Sequence, residues 1–202
     1  PALSELYDGI WVYGLPHFYD PLDGIDVAES VRRKMIYTGY LHHRLPEATS
    51  PTALSKISEP YFLVTAGGGG DGDALIDWVI SAYEYDRNIP YPALIVFGPF
   101  MHSDMQEKFQ FRIAQLDDVE AITFDSRIEH LMSRAAGVVA MGGYNTFCEI
   151  LSFDKPALIV PRVRPRREQF IRASRAQELG LLAMLLPQYE NEPDQMATAL
   201  RQ

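Results

Sequence analysis

Cysteine is almost absent: Cys148 is the only one in 202 residues. A lone thiol excludes an intrachain disulfide framework and a cysteine-rich zinc cluster, and it suits a reducing compartment. No apolar run approaches the length that spans a bilayer, and no signal peptide is recognisable. A cytoplasmic location is therefore expected, with a peripheral position at the inner face of the membrane as its variant. Basic residues are in deficit, 18 against 27 acidic ones for a net charge of −9, which argues against nucleic acid as a partner. Internal repeats are absent, and the only low-complexity tract is a glycine loop. The opening PALSELYDGIWVYG has no initiator Met, the start expected of a fragment or a processed chain.

Apolar residues, by contrast, make up 47% of the chain, enough for a substantial core. The length suits one large domain, or one and a half small ones. The few basic residues are unevenly placed. PRVRPRREQFIRASR gathers Arg162, Arg164, Arg166, Arg167, Arg172 and Arg175. Such an island on an acidic protein reads either as a localised anion site or as a solvated helix face.

In chain order, GIWVYG reads as a short strand, LPHFYDPLDG as an irregular loop, DVAESVRRK as a helix and MIYTGYL as a strand. Residues 42–60 are polar, carry three prolines and read as an interdomain linker. From Tyr61 the chain is regular. Strands YFLVTA, ALIVFG, VEAITF, GVVAM, ALIVP and LLAMLL alternate with helices near 74–85, 103–116, 126–136, 145–153 and 168–179, and a short helix closes the chain. Most of these strands are continuous apolar runs, as expected where both faces of a parallel sheet are covered. The fold expected is α/β: a Rossmann-like, doubly wound parallel sheet over 61–202, preceded by a remnant of another domain over 1–41. Ser103 with Gln106, Ser126 with Glu129, and Thr146 with Glu149 fit the capping-box pattern for helix starts.

The most informative stretch runs from Gly137 to Gln169: strand, glycine turn, short helix, strand, arginine-rich loop. In doubly wound folds the ligand sits where strands end and helices begin. Gly142 and Gly143 let the backbone approach a ligand closely, and the following helix amides favour a phosphate-like anion. Gly67, Gly68, Gly69 and Gly70, with Asp71 and Gly72, occupy the same strand-to-helix context. Their pattern is neither a nucleotide-triphosphate P-loop nor a clean dinucleotide fingerprint, and a flexible turn is the alternative.

Glu149 is placed to accept hydrogen bonds from vicinal hydroxyls such as those of a ribose, or simply to complete the capping box with Thr146. Arg164, Arg166 and Arg167 follow a strand at the expected ligand edge, and their planar donors suit a diphosphate. Gln169 opens the next helix, in reach of a sugar hydroxyl or of solvent. The backbone at Asp125 can read a base edge, while Arg127 reads equally as part of a surface helix. Cys148 reads as a small buried residue, with no partner histidine to make it a nucleophile. His42-His43 lacks metal-ligand spacing, so no metal site is expected.

With these motifs in place, Tyr61 to Pro187 resembles the C-terminal, donor-binding domain of GT-B glycosyltransferases of family 28. The strand and GGGG loop, TFDSRIEHLMSRAAGVVAMGGYNTFCEIL, the KPALIVP strand and the EQFIRA helix carry the resemblance. The family's best-known member is the N-acetylglucosaminyltransferase of the lipid-linked peptidoglycan precursor, and a bacterial-type branch is the nearest match. The resemblance implies hexosyl transfer from a UDP-sugar to an acceptor hydroxyl, the acceptor being lipid-linked or a small glycoside. It implies no metal and no cofactor.

It also implies that Glu149 holds the ribose hydroxyls, that Phe124, Asp125 and Ile128 border the uracil, and that Gly142, Gly143 and the Gly67–Gly70 loop line the diphosphate. Asn145 and Thr146 fall within the same donor site, and Gln169 contacts the sugar. The chain departs from the family in three places. Its first loop lacks the usual Ser or Thr, Glu168-Gln169 stands where Gln-Gln is common, and PRVRPRRE is unusually basic. WVYG resembles the tail of an N-terminal acceptor domain. By the same resemblance the rest of that domain packs against the site and supplies the general base, so this chain is expected to bind without turning over. Two rivals remain: a UDP-sugar 2-epimerase on the same scaffold, and a non-enzymatic module whose arginines bind a phosphorylated partner or an anionic membrane.

Overall fold

The computed structural model describes residues 2–22, 24–45, 57, 60–67, 70–187 and 191–202. Most of the expected linker, and Gly68 and Gly69 of the glycine loop, lie outside the described residues. The chain divides into two compact units, Pro1–His42 and His43–Gln202.

The first unit holds helix α1 (Ala2–Glu5), strand β1 (Ile10–Tyr13), helix α2 (Glu29–Arg32) and strand β2 (Met35–Gly39). The two strands pair in parallel, Ile10 opposite Met35. Lys34 stitches the start of the unit together, its Nζ donating to the carbonyls of Ser4 and Tyr7 at 2.7 Å each. The helix expected over DVAESVRRK is a single turn, because the backbone at Ala28 is non-helical (φ −56°, ψ 142°) and this N-cap offers no side-chain oxygen.

The second unit alternates strand and helix throughout: β3 (Phe62–Thr65), α3 (Asp73–Tyr85), β4 (Ala93–Val96), α4 (Ser103–Ile113), β5 (Val119–Ile122), α5 (Ile128–Arg134), β6 (Gly137–Ala140), α6 (Tyr144–Ser152), β7 (Ala157–Ile159), α7 (Glu168–Glu178), β8 (Ala183–Met184) and α8 (Pro193–Leu200). All six strands are parallel, in the order β5-β4-β3-β6-β7-β8. The chain therefore runs outward from β3 to β5, then returns to the other side of β3 with β6. That reversal is the switch point of a doubly wound sheet, where a crevice opens beyond the carboxyl ends of the strands.

The apolar runs build a core on each face. One cluster joins Val64, Ile95, Val139 and Leu158 to Trp78, Phe97, Phe109 and Met196; the other joins Leu63, Leu94, Val138 and Ile159 to Leu131, Met132 and Ile150. Alternate residues of each strand thus serve opposite faces, and both faces are buried. Trp78, 1% exposed, ties α3 to the end of the chain by donating its indole N–H to the Glu192 carbonyl at 2.8 Å.

The expected capping boxes are not formed. Helix α4 is capped at His102, α5 at Arg127 and α6 at Gly143, none with a side-chain hydrogen bond. Each candidate is engaged elsewhere or displaced. Ser103 lies inside α4 and bonds Asp104, and Gln106 donates to the Met101 carbonyl at 2.9 Å. Before α5, Asp125 Oδ1 takes the Arg127 amide at 2.8 Å, so a local turn uses the amide and the helix starts one residue later than the Ser126 pattern indicates. Helix α6 starts at Tyr144, which puts Glu149 in its second turn, beyond reach of a capping role.

Candidate functional site

Strands β3 and β6 pair with Thr65 opposite Ala140, so their ends are level. The chain leaves both strands through glycine turns. After β3, Gly67 takes φ +71°, its amide donating to Thr65 Oγ1 at 3.2 Å. After β6, Gly142 takes φ +76°, a conformation that L side chains rarely adopt. A Cβ on Gly142 would meet Ile159 Cγ2 at 2.8 Å, and one on Gly72 would meet Ala66 Cβ at 2.1 Å. Glycine is required at both positions, by conformation at the first and by contact at the second.

Between these turns lies a cleft of about 300 Å³, lined by Thr65, Ala66, Gly67, Asp71, Met141, Gly142, Gly143, Tyr144, Asn145, Thr146, Arg162 and Gln169. It lies at the carboxyl ends of the switch-point strands, where α6 begins at Gly143 without a side-chain cap and turns the positive end of its dipole toward the cleft. A larger groove, about 840 Å³, includes the first residues of β3, β6 and β7. It is therefore at the wrong end of the sheet for a ligand held by strand-to-helix turns.

Six of the residues assigned to the donor site from the sequence line this cleft: Gly67, Gly142, Gly143, Asn145, Thr146 and Gln169. Gln169 accepts the Arg162 amide hydrogen at 2.9 Å through Oε1, which leaves its amide nitrogen as a donor. Arg164, Arg166 and Arg167 are exposed and are not among the lining residues. Arg167 lies over the Phe170 ring at 5.0 Å instead. Phe124 is 59% exposed, Asp125 is engaged with Arg127, and Ile128 packs on a core cluster. Gly70 faces the Phe100 carbonyl.

Glu149 is buried and lies outside the cleft lining. Its Oε1 is 3.9 Å from His43 Nδ1, and His43 is held beside α6 by a 2.9 Å bond from its amide to Ser152 Oγ. Glu129 of α5 completes the group, with one candidate ligand atom from each of the three residues lying within 4.8 Å of the others. Burial raises the Glu149 pKa above the ordinary carboxylate value; His43 opposes the rise and Glu129 adds to it.

Three side chains stood out in the sequence only as members of the basic island or the glycine loop, without a role of their own. Arg172 on α7 donates to the Gly142 carbonyl at 2.9 Å and lies over the Tyr144 and Phe147 rings at 5.6 and 5.8 Å. It braces the glycine turn from the far side. Arg162, the first residue of the basic loop, reaches Asp71 of the glycine loop at 2.9 Å and Glu168 at 3.4 Å. Its Nε is buried with no partner among the described residues. The signal for Arg162 was its position directly after Pro161 at the end of the β7 run, nearest the sheet edge. Asp71 carried the corresponding signal in the glycine loop.

A parallel sheet in this order, with paired glycine turns at its switch point, defines a Rossmann-like ligand-binding domain of the GT-B type. The chain belongs to glycosyltransferase family 28: residues 62–202 match the Glycosyltransferase family 28 C-terminal domain. No curated protein matches it. Among solved structures, the glycotransferase of kitacinnamycin superposes with a TM-score of 0.67 at 15% identity, over 96% of this chain and 46% of that one. MurG of Acinetobacter baumannii gives a TM-score of 0.64 at 14% identity, over 96% and 51%. Glycosyltransferase VinC in complex with DTDP gives 0.50 at 21% identity, over 72% and 33%. This chain thus spans about half, or less, of the length of these structures. No helix among the described residues is long and apolar enough to cross a membrane.

Proposed function

We propose that this chain is the donor-binding part of a glycosyltransferase that transfers a hexosyl group from a UDP-sugar to an acceptor hydroxyl. The observation that carries this reading is the cleft between the two glycine turns at the β3/β6 switch point. A nucleoside diphosphate suits it physically. Gly67 and Gly142 let backbone approach closely, and the first amides of α6 favour negative charge. When the glycosyl bond breaks, charge builds on the departing diphosphate, and preorganised amides there stabilise that charge without reorganising. Gln169 offers an amide donor toward the sugar, and Glu149 is read as the acceptor for the ribose hydroxyls. VinC was crystallised with DTDP, which supports a nucleoside diphosphate as the ligand class.

The finer relationship is drawn at the level of family 28. The kitacinnamycin glycotransferase and MurG superpose about equally well, so the peptidoglycan-precursor enzyme is one of several scaffolds this chain is similar to. The cleft chemistry needs no metal in this reading, and the acceptor and the general base belong to a second half of the fold.

Calorimetry of this chain with UDP, with ADP as the control and with salt varied, tests the proposal. Selective UDP binding is the expected result. Equal, salt-labile binding of UDP and ADP would leave only a general anion site, and no binding would remove the donor reading for this chain.

A further inference from the structure

We infer that Asp71 is an internal stand-in for the ligand's diphosphate, and that Arg162 exchanges this carboxylate for a phosphate oxygen when the nucleotide binds. The inference rests on the donor-site reading and adds two residues to it, one acting as ligand and the other as its competitor. Arg162 and Asp71 both line the cleft beside the glycine turns, in direct contact with each other. A carboxylate therefore already holds the guanidinium at a place where an anionic ligand would meet it.

The present partners leave Arg162 incompletely used. One terminal nitrogen bonds Asp71 Oδ2 at 2.9 Å, the other reaches Glu168 Oε1 only at 3.4 Å, and Nε is buried without a partner among the described residues. A guanidinium has five N–H donors arranged to grip phosphate with two parallel bonds. The Arg162 side chain is 32% exposed and that of Asp71 is 44% exposed. Ion pairs this open to water are weak, so giving one up costs little, whereas a phosphate in the cleft would gain a charge-assisted pair. The exchange also separates Arg162 from the other arginines. Arg164, Arg166 and Arg167 are exposed and outside the cleft, so their charge acts through screened solvent.

The test measures UDP and uridine affinity by calorimetry on the 202-residue chain, in wild type, Asp71→Asn, Arg162→Gln and the double variant. Removing the competitor in Asp71→Asn is expected to tighten UDP about three- to tenfold. Arg162→Gln is expected to weaken UDP at least tenfold and leave uridine unchanged. In the double variant the gain from Asp71→Asn should vanish, because nothing remains to be released. Circular dichroism and melting curves check that each variant folds, and Arg162→Met takes the place of Arg162→Gln in the cycle should that variant unfold. Unchanged or weaker UDP binding in Asp71→Asn, or an equal gain with and without Arg162, overturns the exchange while the donor reading stands. Failure of wild type to bind UDP removes both.

Discussion

His43 Nδ1 lies 3.9 Å from Glu149 Oε1, at a place where burial and Glu129 both oppose ionisation of that carboxyl. The histidine comes from the edge of the stretch that reads as a linker, and the carboxylate from the core-facing side of α6. Their proximity gives the expected ribose acceptor an unusual setting: a carboxylate that depends on its surroundings to stay charged.

Nucleotide affinity is therefore expected to rise as pH rises through the elevated Glu149 pKa, because an ionised carboxylate accepts hydroxyl hydrogens and a protonated one does so poorly. Stability moves the other way. An acid whose folded pKa is raised contributes stability below its ordinary value, and that contribution is lost as pH rises through the folded pKa. In Glu149→Gln both pH dependences should flatten. UDP affinity at neutral pH should drop by about 1.5–3 kcal/mol, the worth of hydrogen bonds to a charged group, with folding stability held or improved. Calorimetry and urea titrations across pH 5–8 read both; unchanged affinity alongside unchanged stability would remove Glu149 from the ribose site.

Gly142→Ala should be costly in two respects. The substituted residue must hold φ +76° and place a methyl 2.8 Å from Ile159 Cγ2. Left-handed backbone costs about 1–2 kcal/mol for a residue with a Cβ, and the contact adds to that. Urea denaturation should show a loss of about 1–3 kcal/mol, and UDP affinity should fall with it. Gly143→Ala is the control, since a Cβ there meets nothing within 4 Å.

Arg172→Met keeps an apolar stem but removes the bond to the Gly142 carbonyl and the stacking over Tyr144 and Phe147. A loss of about 1–2 kcal/mol in stability is expected from these two terms together. The more specific sign is faster hydrogen exchange at the amides of Met141–Gly143, because the turn loses its brace. Equal exchange in the variant and wild type would show that the turn holds itself.

Trp78→Ala should unfold the attachment of the chain's end. The indole is almost wholly buried in the cluster that includes Met196 and Leu200, and its N–H holds the Glu192 carbonyl. Truncating so large a buried ring costs about 3–5 kcal/mol. Trp78→Phe retains most of the packing and loses only the hydrogen bond, so about 1 kcal/mol is expected. Thermal melts distinguish the two, and an equal loss in both would mean that the bond, rather than the packing, secures α8.

Much of the architecture was legible from the residues alone. YFLVTA, ALIVF, GVVAM and ALIV are short apolar runs without alternation, rich in β-branched residues and flanked by Gly or Pro, the pattern of strands buried on both faces. Helical spacing between them then implies a parallel sheet, and β3 to β8 form one. The glycines of both turns could be picked out because Gly67 and Gly142 each follow an apolar run and precede a helix. Helix starts were less legible. A Thr or Ser with Glu or Gln three places on is a local pattern, but Gly143 ends the turn earlier, and the helix begins where the backbone first allows it.

The sequence by itself determined that strands and helices would alternate, that the sheet would be covered on both faces, and that glycine turns would open two of the helices. Those features follow from local propensity and from the period of apolar residues, which neighbours in the chain are enough to set. Only the tertiary structure decided that Arg162 and Arg172, rather than Arg164, Arg166 and Arg167, approach the glycine turns. Only it set Glu149 beside His43 and Glu129. Each of those relationships joins residues from separate elements, and packing the helices on a sheet of a given strand order fixes the distances between them. An arginine in a run of arginines carries no local mark of the direction it will face.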